Sequence, residues 1–279
     1  MPLPHNPIAQ LLSTRTTIIL DGALATELES RGLDLNDPIW SAKALISNPS
    51  VIRAVHLDYF LAGADVAITA SYQATPLGLQ QHLGLSAQES ETLIRKSVVL
   101  AQEARDEALK LLEAENLESG CSPNSNKTLL IAGSVGPYGA YLANGSEYRG
   151  DYILSAENMK AFHRPRINAL TAGGIDLLAC ETLPSFPEIV ALISLLQEEF
   201  PSVPAWFSFT LKDASHISDG TNLEEVVKRL DGVEQVVAIG INCVEGQLGV
   251  RAVAEVKRWT RKPVVLYPNS GGEWDPVRG

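Results

Sequence analysis

Seven short apolar runs, each closed by polar or turn-forming residues, set the rhythm of this chain. They are Thr17–Leu20, Val66–Ala70, Thr128–Ala132, Ile175–Cys180, Ala205–Thr210, Gln235–Val244 and Pro263–Tyr267. Runs this short, rich in Val, Ile and Leu and with little polar alternation, read as strands buried on both faces. Stretches with helical spacing separate most of them. One covers Pro49 to Ala62 and closes at Gly63, and another opens on a capping box at Ser86-Ala-Gln-Glu89. The second places Leu93, Ile94, Val98, Ala101 and Ala104 on one face and runs to about Ala114. Further helices are predicted over Ala156 to Ala172, with a kink at Pro165, over Pro187 to Glu199, over Leu223 to Leu230, and up to Trp259. Glu115 to Lys127 and Asp213 to Thr221 read as polar loops.

Repeated strand-then-helix units predict an α/β protein with a parallel sheet covered by helices. The placement of polar residues favours a (β/α)8 TIM-type barrel over an open doubly wound sheet. Asp21, Gln73, Ser134, Glu181, Thr210, Cys243 and Asn269 each stand at the C-terminal end of a different run. In a barrel those ends form one rim, where the chemistry of barrel enzymes is placed. A doubly wound sheet would draw its site from a few strand ends at the switch point. The pattern stops after the seventh run, so the expectation is one domain over residues 1–279: a barrel truncated after strand seven, with the eighth strand and last helices missing.

Composition narrows the function more than the fold. The 279 residues are 45% hydrophobic and 20% charged, enough for a sizeable core. A net charge of -11, with no basic cluster longer than pairs such as Lys228-Arg229, excludes nucleic acid as a main partner. No apolar run reaches the roughly 20 residues that span a bilayer, and Met1 to Thr16 lacks the pattern of a signal peptide. Three widely spaced cysteines, Cys121, Cys180 and Cys243, without a C-x-x-C, fit a reduced cytoplasmic chain. The glycosylation patterns at Asn126 and Asn144 then carry no function.

Cys243 ends the Gly240-Ile-Asn-Cys243 tip, where a thiol is placed to bind a metal or a substrate, or to serve as a buried packing residue. If Cys243 faces the barrel axis, Ile241, Ile239 and Val237 do too, and Gly240 and Ala238 face the helices. Glu181 is a rim carboxylate or a solvated loop acid; Cys180 beside it points the other way, as a packing residue. Asp21, followed by Gly22, is a second rim acid or a turn former. Two rim acids suit a cationic group such as an ammonium. The glycines of Gly133–Gly139 either let backbone N–H groups approach a ligand or form a plain loop. Tyr72, Tyr138, Trp206 and Tyr267 suit a cation or the core. His216 lies in the loop after the fifth strand, with no Ser-His-Asp arrangement or metal-spaced His pair around it.

In order along the chain stand Leu20-Asp-Gly-Ala23, Thr69-Ala-Ser-Tyr-Gln73, Ser134-Val-Gly-Pro-Tyr-Gly139, Phe162-His-Arg-Pro-Arg166 and Glu181-Thr182. Ser208-Phe-Thr210, Gly240-Ile-Asn-Cys243 and Tyr267-Pro-Asn-Ser-Gly271 follow. The ordered set resembles the homocysteine S-methyltransferase family, in the branch that uses S-methylmethionine or S-adenosylmethionine. The resemblance implies methyl transfer from that sulfonium donor to homocysteine, giving methionine. It also implies a zinc ion held by three cysteines, with the homocysteine sulfur in the fourth position. Cys243 matches the first zinc ligand. Asp21 and Glu181 match the acids for the homocysteine ammonium, with Ser134, Gln73 and Asn269 as further substrate-binding positions. The family's Gly-Gly-Cys-Cys pair does not occur in this sequence. The zinc site is therefore expected to be incomplete, with a catalytically impaired homocysteine- or methionine-binding protein as the alternative reading.

Overall fold

The structure, a computed structural model, describes residues 5–35, 39–118 and 127–271. Among the described residues eight strands form: β1 (Val66–Ile68), β2 (Leu130–Val135), β3 (Leu177–Leu183), β4 (Ala205–Phe209), β5 (Leu211–Asp213), β6 (His216–Ile217), β7 (Val236–Glu245) and β8 (Val264–Asn269). Six of them make one sheet in the order β1-β2-β3-β4-β7-β8, and β5 pairs with β6. The β1–β2, β4–β7 and β7–β8 pairs are parallel. The expected α/β class is thus borne out, and six of the seven predicted strands are present. The loop expected over Glu115 to Lys127 is corrected at its start: helix Ala87–Glu118 continues through Glu115-Asn-Leu-Glu118, which holds no Pro or Gly to stop it. Cys121 and Asn126 lie outside the described residues.

The first predicted strand is corrected. Thr17–Leu20 contributes only an isolated parallel bridge between Leu20 and Val66. The cause is a side chain from the next strand's approach: the Ile19 N–H is taken by the carboxylate of Asp65 (2.9 Å), which also pairs with Arg15. A backbone donor held by a side chain cannot extend a ladder. The loop predicted over Asp213 to Thr221 is corrected as well, because its first residues join the β5–β6 hairpin. Asp213 accepts from the Ser215 N–H (2.8 Å), an Asx-type turn that reverses the chain.

By contact the chain divides into two compact units. The first, here the Asp21 unit, is His5–Gly136 with Lys160–Ala179. Its helix Pro49–Leu61 packs along the long helix Ala87–Glu118. Phe60, Ala64, Ala67, Ala104, Ala108 and Leu129 form a buried cluster there, in which small alanines let the backbones approach. The capping box is present as predicted: the Ser86 N–H donates to Glu89 (2.8 Å) and the Glu89 N–H to Ser86 Oγ (3.3 Å). Helix Ala156–Gly173 runs through Pro165.

The second, the Cys243 unit, is Pro137–Met159 with the chain from Cys180 onward. Here β4, β7 and β8 lie side by side with helices Leu223–Asp231 and Gly246–Trp259. The Glu245 carboxylate caps the second helix through the N–H groups of Gln247 (2.8 Å) and Leu248 (2.9 Å). Gly240 sits opposite Val265 in the ladder, and a Cβ there would meet the Val265 carbonyl oxygen at 1.8 Å. The demand for a small residue thus comes from the neighbouring strand, where helix packing was expected.

Candidate active site

Strand β7 carries the Gly-Ile-Asn-Cys tip, and Cys243 departs from it with φ +52. Thr182, at the end of β3, has φ +59. Left-handed backbone is costly for a β-branched residue and persists only where the surroundings enforce it. What enforces it is Asn242, fully buried between the two. Its Oδ1 accepts the Thr182 N–H (2.9 Å), and its Nδ2 donates to Thr182 Oγ1 (2.7 Å) and to Cys243 Sγ (3.3 Å). The Thr182 hydroxyl in turn donates to the same sulfur (3.8 Å). Two donors thus aim at one sulfur, an environment suited to a thiolate.

Burial works in the opposite direction. It pushes the Cys243 thiol up to about 11, with Glu181 adding to the rise and the two hydrogen bonds opposing it. Glu181 is 7% exposed and accepts from the Tyr267 hydroxyl (3.1 Å). With its O–H donated to Glu181, Tyr267 can only accept from Trp206 Nε1 (3.3 Å) and from the Ser208 hydroxyl (2.7 Å). Trp206, Tyr267 and Glu181 therefore form a directed chain ending on the carboxylate. Of the aromatic candidates, Trp206 and Tyr267 serve this network.

A second acid near Cys243, Glu147, escaped the sequence reading. Burial raises its carboxyl pKa, its Oε2 is buried without a hydrogen-bond partner, and its charge reaches the Cys243 thiol. It lies in the short 3-10 turn Ser146–Tyr148. Thr210, predicted as a rim residue, donates to the Glu147 carbonyl (3.0 Å) and so holds that turn. Gly139 supplies the only signal visible in the sequence: a Cβ there would meet the Glu147 nitrogen at 2.5 Å. Buried Glu188 anchors the same segment, accepting from the Tyr138 N–H (2.7 Å) and the Tyr152 hydroxyl. His216 binds Asp213 and stays in the hairpin (2.9 Å). Asn269 is exposed at the end of β8, opposite Glu245 in the register.

Asp21, Gln73 and Ser134 belong to the other unit. The Asp21 side chain is 5% exposed and accepts the Ile68 N–H (2.8 Å). A Cβ on Gly22 would meet the Tyr59 hydroxyl at 2.5 Å, so helix Pro49–Leu61 sits directly on this tip. Ser134 is fully buried; its N–H donates to Thr69 Oγ1 (3.0 Å) and its carbonyl accepts from Ser71 (2.8 Å). The Gln73 Oε1 is buried without a hydrogen-bond partner. Arg166, also fully buried, donates to the carbonyls of Tyr72 (2.8 Å) and Gly136 and to His163 Nδ1 (3.0 Å). The Phe-His-Arg-Pro-Arg stretch thereby ties the Tyr72 and Gly136 tips together, and Gly136 must be glycine because a Cβ would meet the Tyr72 carbonyl at 2.7 Å.

Donor chemistry provides the test for zinc. Two hydrogen bonds to Cys243 Sγ suit one thiolate ligand, and a nearby cation would reverse the upward shift of its pKa. Among the described residues, however, no group of three or more His, Cys, Asp and Glu is placed to hold a metal ion. Cys180 is fully buried within β3, as expected of a packing residue. The residues fit one ligand and not a complete site.

Against known families, the sequence model for homocysteine S-methyltransferases matches residues 18–278. The chain belongs to the homocysteine S-methyltransferase family. A homocysteine S-methyltransferase from Escherichia coli is 55% identical over 98% of this chain and 84% of its own length. The family member YbgG from Bacillus subtilis is 50% identical over 97% of this chain and 83% of its own. A selenocysteine methyltransferase from Astragalus bisulcatus is 45% identical over 93% and 78%. Among solved structures, the metallated form of the Escherichia coli homocysteine methyltransferase MmuM superposes with a TM-score of 0.88 at 56% identity, covering 95% of this chain and 88% of that one. The family resemblance read from the strand tips is therefore shown, and the chain is an enzyme of this family. No helix among the described residues is long and apolar enough to cross a membrane.

Proposed function

We propose that this protein transfers a methyl group from a sulfonium donor, S-methylmethionine or S-adenosylmethionine, to the sulfur of homocysteine. The homocysteine thiol releases its proton to solvent, and the resulting thiolate sulfur attacks the methyl carbon. One S–C bond forms while the donor's sulfonium S–C bond breaks, its electron pair returning to the donor sulfur as a neutral thioether. The products are methionine and the demethylated donor. The observation that carries this reading is the Cys243 tip: a strained, hydrogen-bonded sulfur beside the Glu181 carboxylate, in a chain of this family.

Each group then has a role. Cys243 would hold, as one thiolate ligand, the zinc ion that the family implies; bound there, such an ion would supply Lewis acidity that favours the thiolate of homocysteine, since a free thiol of pKa about 8.5 stays mostly protonated at neutral pH. Glu181, oriented by Tyr267, is the acid of the Cys243 unit for a substrate ammonium. The family resemblance gives the same role to Asp21, and gives Gln73, Ser134 and Asn269 as further substrate-binding positions. Incubating the purified protein with Zn²⁺, homocysteine and methyl-¹³C donor tests the reading: labelled methionine is expected, and its absence contradicts methyl transfer.

A second reading is favoured by one observation, the lack of a three-group metal cluster among the described residues. It makes the protein a binder of homocysteine or methionine with impaired turnover. Calorimetry with homocysteine in the absence of metal separates the two, since this reading requires heat of binding without labelled product.

A further inference from the structure

Helix Pro49–Leu61 turns His56 toward Asp21, and this contact has no part in the chemistry described so far. The imidazole is 1% exposed, and neither ring nitrogen has a hydrogen-bond partner. Its Nδ1 stands 3.9 Å from Asp21 Oδ2, just beyond hydrogen-bond reach. Buried polar groups are nearly always satisfied, so a doubly unsatisfied imidazole requires a reason. Stability does not supply one, because a leucine would fill the space without an orphaned donor. Tyr59, one turn further along, packs on Gly22, so the same helix face sets the backbone and approaches the carboxylate of the Asp21-Gly22 tip.

We propose that His56 is a positioning residue for Asp21. When a primary ammonium docks on the carboxylate, the Nδ1–H of the neutral imidazole closes onto Asp21 and fixes its orientation. A carboxylate has lone pairs enough for the Ile68 N–H, an imidazole N–H and an ammonium at once. A neutral donor is the suitable choice: lysine or arginine would orient Asp21 equally well but cancel the charge that the ligand needs. Burial supports the neutral form, lowering the His56 pKa to about 4. The ligand class is an α-amino acid, recognised by its ammonium. The inference rests on the reading of Asp21 given under the proposed function.

The test compares three variants. His56→Leu is expected to raise KM for homocysteine about tenfold while kcat and KM for the sulfonium donor stay within twofold. His56→Asn, whose amide nitrogen occupies the Nδ1 position, is expected to restore the wild-type value within about twofold. An unchanged KM in His56→Leu, or an Asn variant as impaired as the Leu variant, overturns the proposal. Should His56→Leu not fold, His56→Gln, whose amide reaches the Nε2 position, takes its place with the same expectation. If the wild type itself gives no labelled methionine, the methyl-transfer reading fails, and ¹⁵N-histidine spectra decide the His56 question separately. An Nδ1-protonated His56 that shifts on adding homocysteine supports the pairing, and an Nε2-protonated or unmoved ring overturns it.

Discussion

Glu181 and Asp21 are both almost fully buried carboxylates at strand or bridge ends, yet their surroundings are built on opposite plans. Glu181 accepts a proton donor that is itself held by Trp206 and Ser208, so its position is set before any ligand arrives. Asp21 accepts a backbone N–H and faces an imidazole that stops short of it. The difference teaches where preorganisation is complete and where a ligand has still to draw groups together. Beside Cys243 the protein pays for a fixed geometry, with two left-handed residues locked by Asn242.

The contrast breaks most visibly in acid. His56 in the unfolded chain takes a proton near its ordinary value of 6.5, whereas the folded protein holds it neutral to about 4. Between those values the unfolded state binds more protons, so stability falls as pH falls, by about 3 kcal/mol in total. Denaturant titrations from pH 7 to 4 are expected to show this loss in the wild type and a flatter profile in His56→Leu. Glu181→Gln tests the other carboxylate. The same Gln variant sharpens the other half of the comparison: removing the charge is expected to weaken homocysteine binding by about 2 kcal/mol, or roughly thirtyfold, by calorimetry. Tyr267→Phe removes a single donor to a carboxylate that keeps its charge. Its expected effect is smaller, about 1 kcal/mol, and a Tyr267→Phe loss equal to that of Glu181→Gln would contradict the ordering.

The strands and their tips were legible because a buried parallel strand must be apolar and its exit must be polar. Val66–Ile68 to Ser71 and Val236 to Cys243 both follow that rule. Thr17–Leu20 met the same criterion and still made only a bridge, since the competing acceptor, Asp65, lies 46 residues from Ile19. The site was half legible. Cys243, Glu181 and Asp21 announced themselves by type and place. Glu147, Glu188 and His56 did not, because a charge in a loop or on a helix usually faces water, and only the packed structure shows these three turned inward. Gly240 was correctly marked as a place for a small residue, but periodicity gave no sign that the obstacle is the backbone of Val265.

The most direct measurement compares wild type with Cys243→Ser, both supplied with Zn²⁺, homocysteine and methyl-¹³C S-methylmethionine. The account predicts labelled methionine from the wild type and at least about a hundredfold less from the serine variant at unchanged Tm, in line with the loss of a metal ligand. Equal rates of labelling from the two proteins would contradict it.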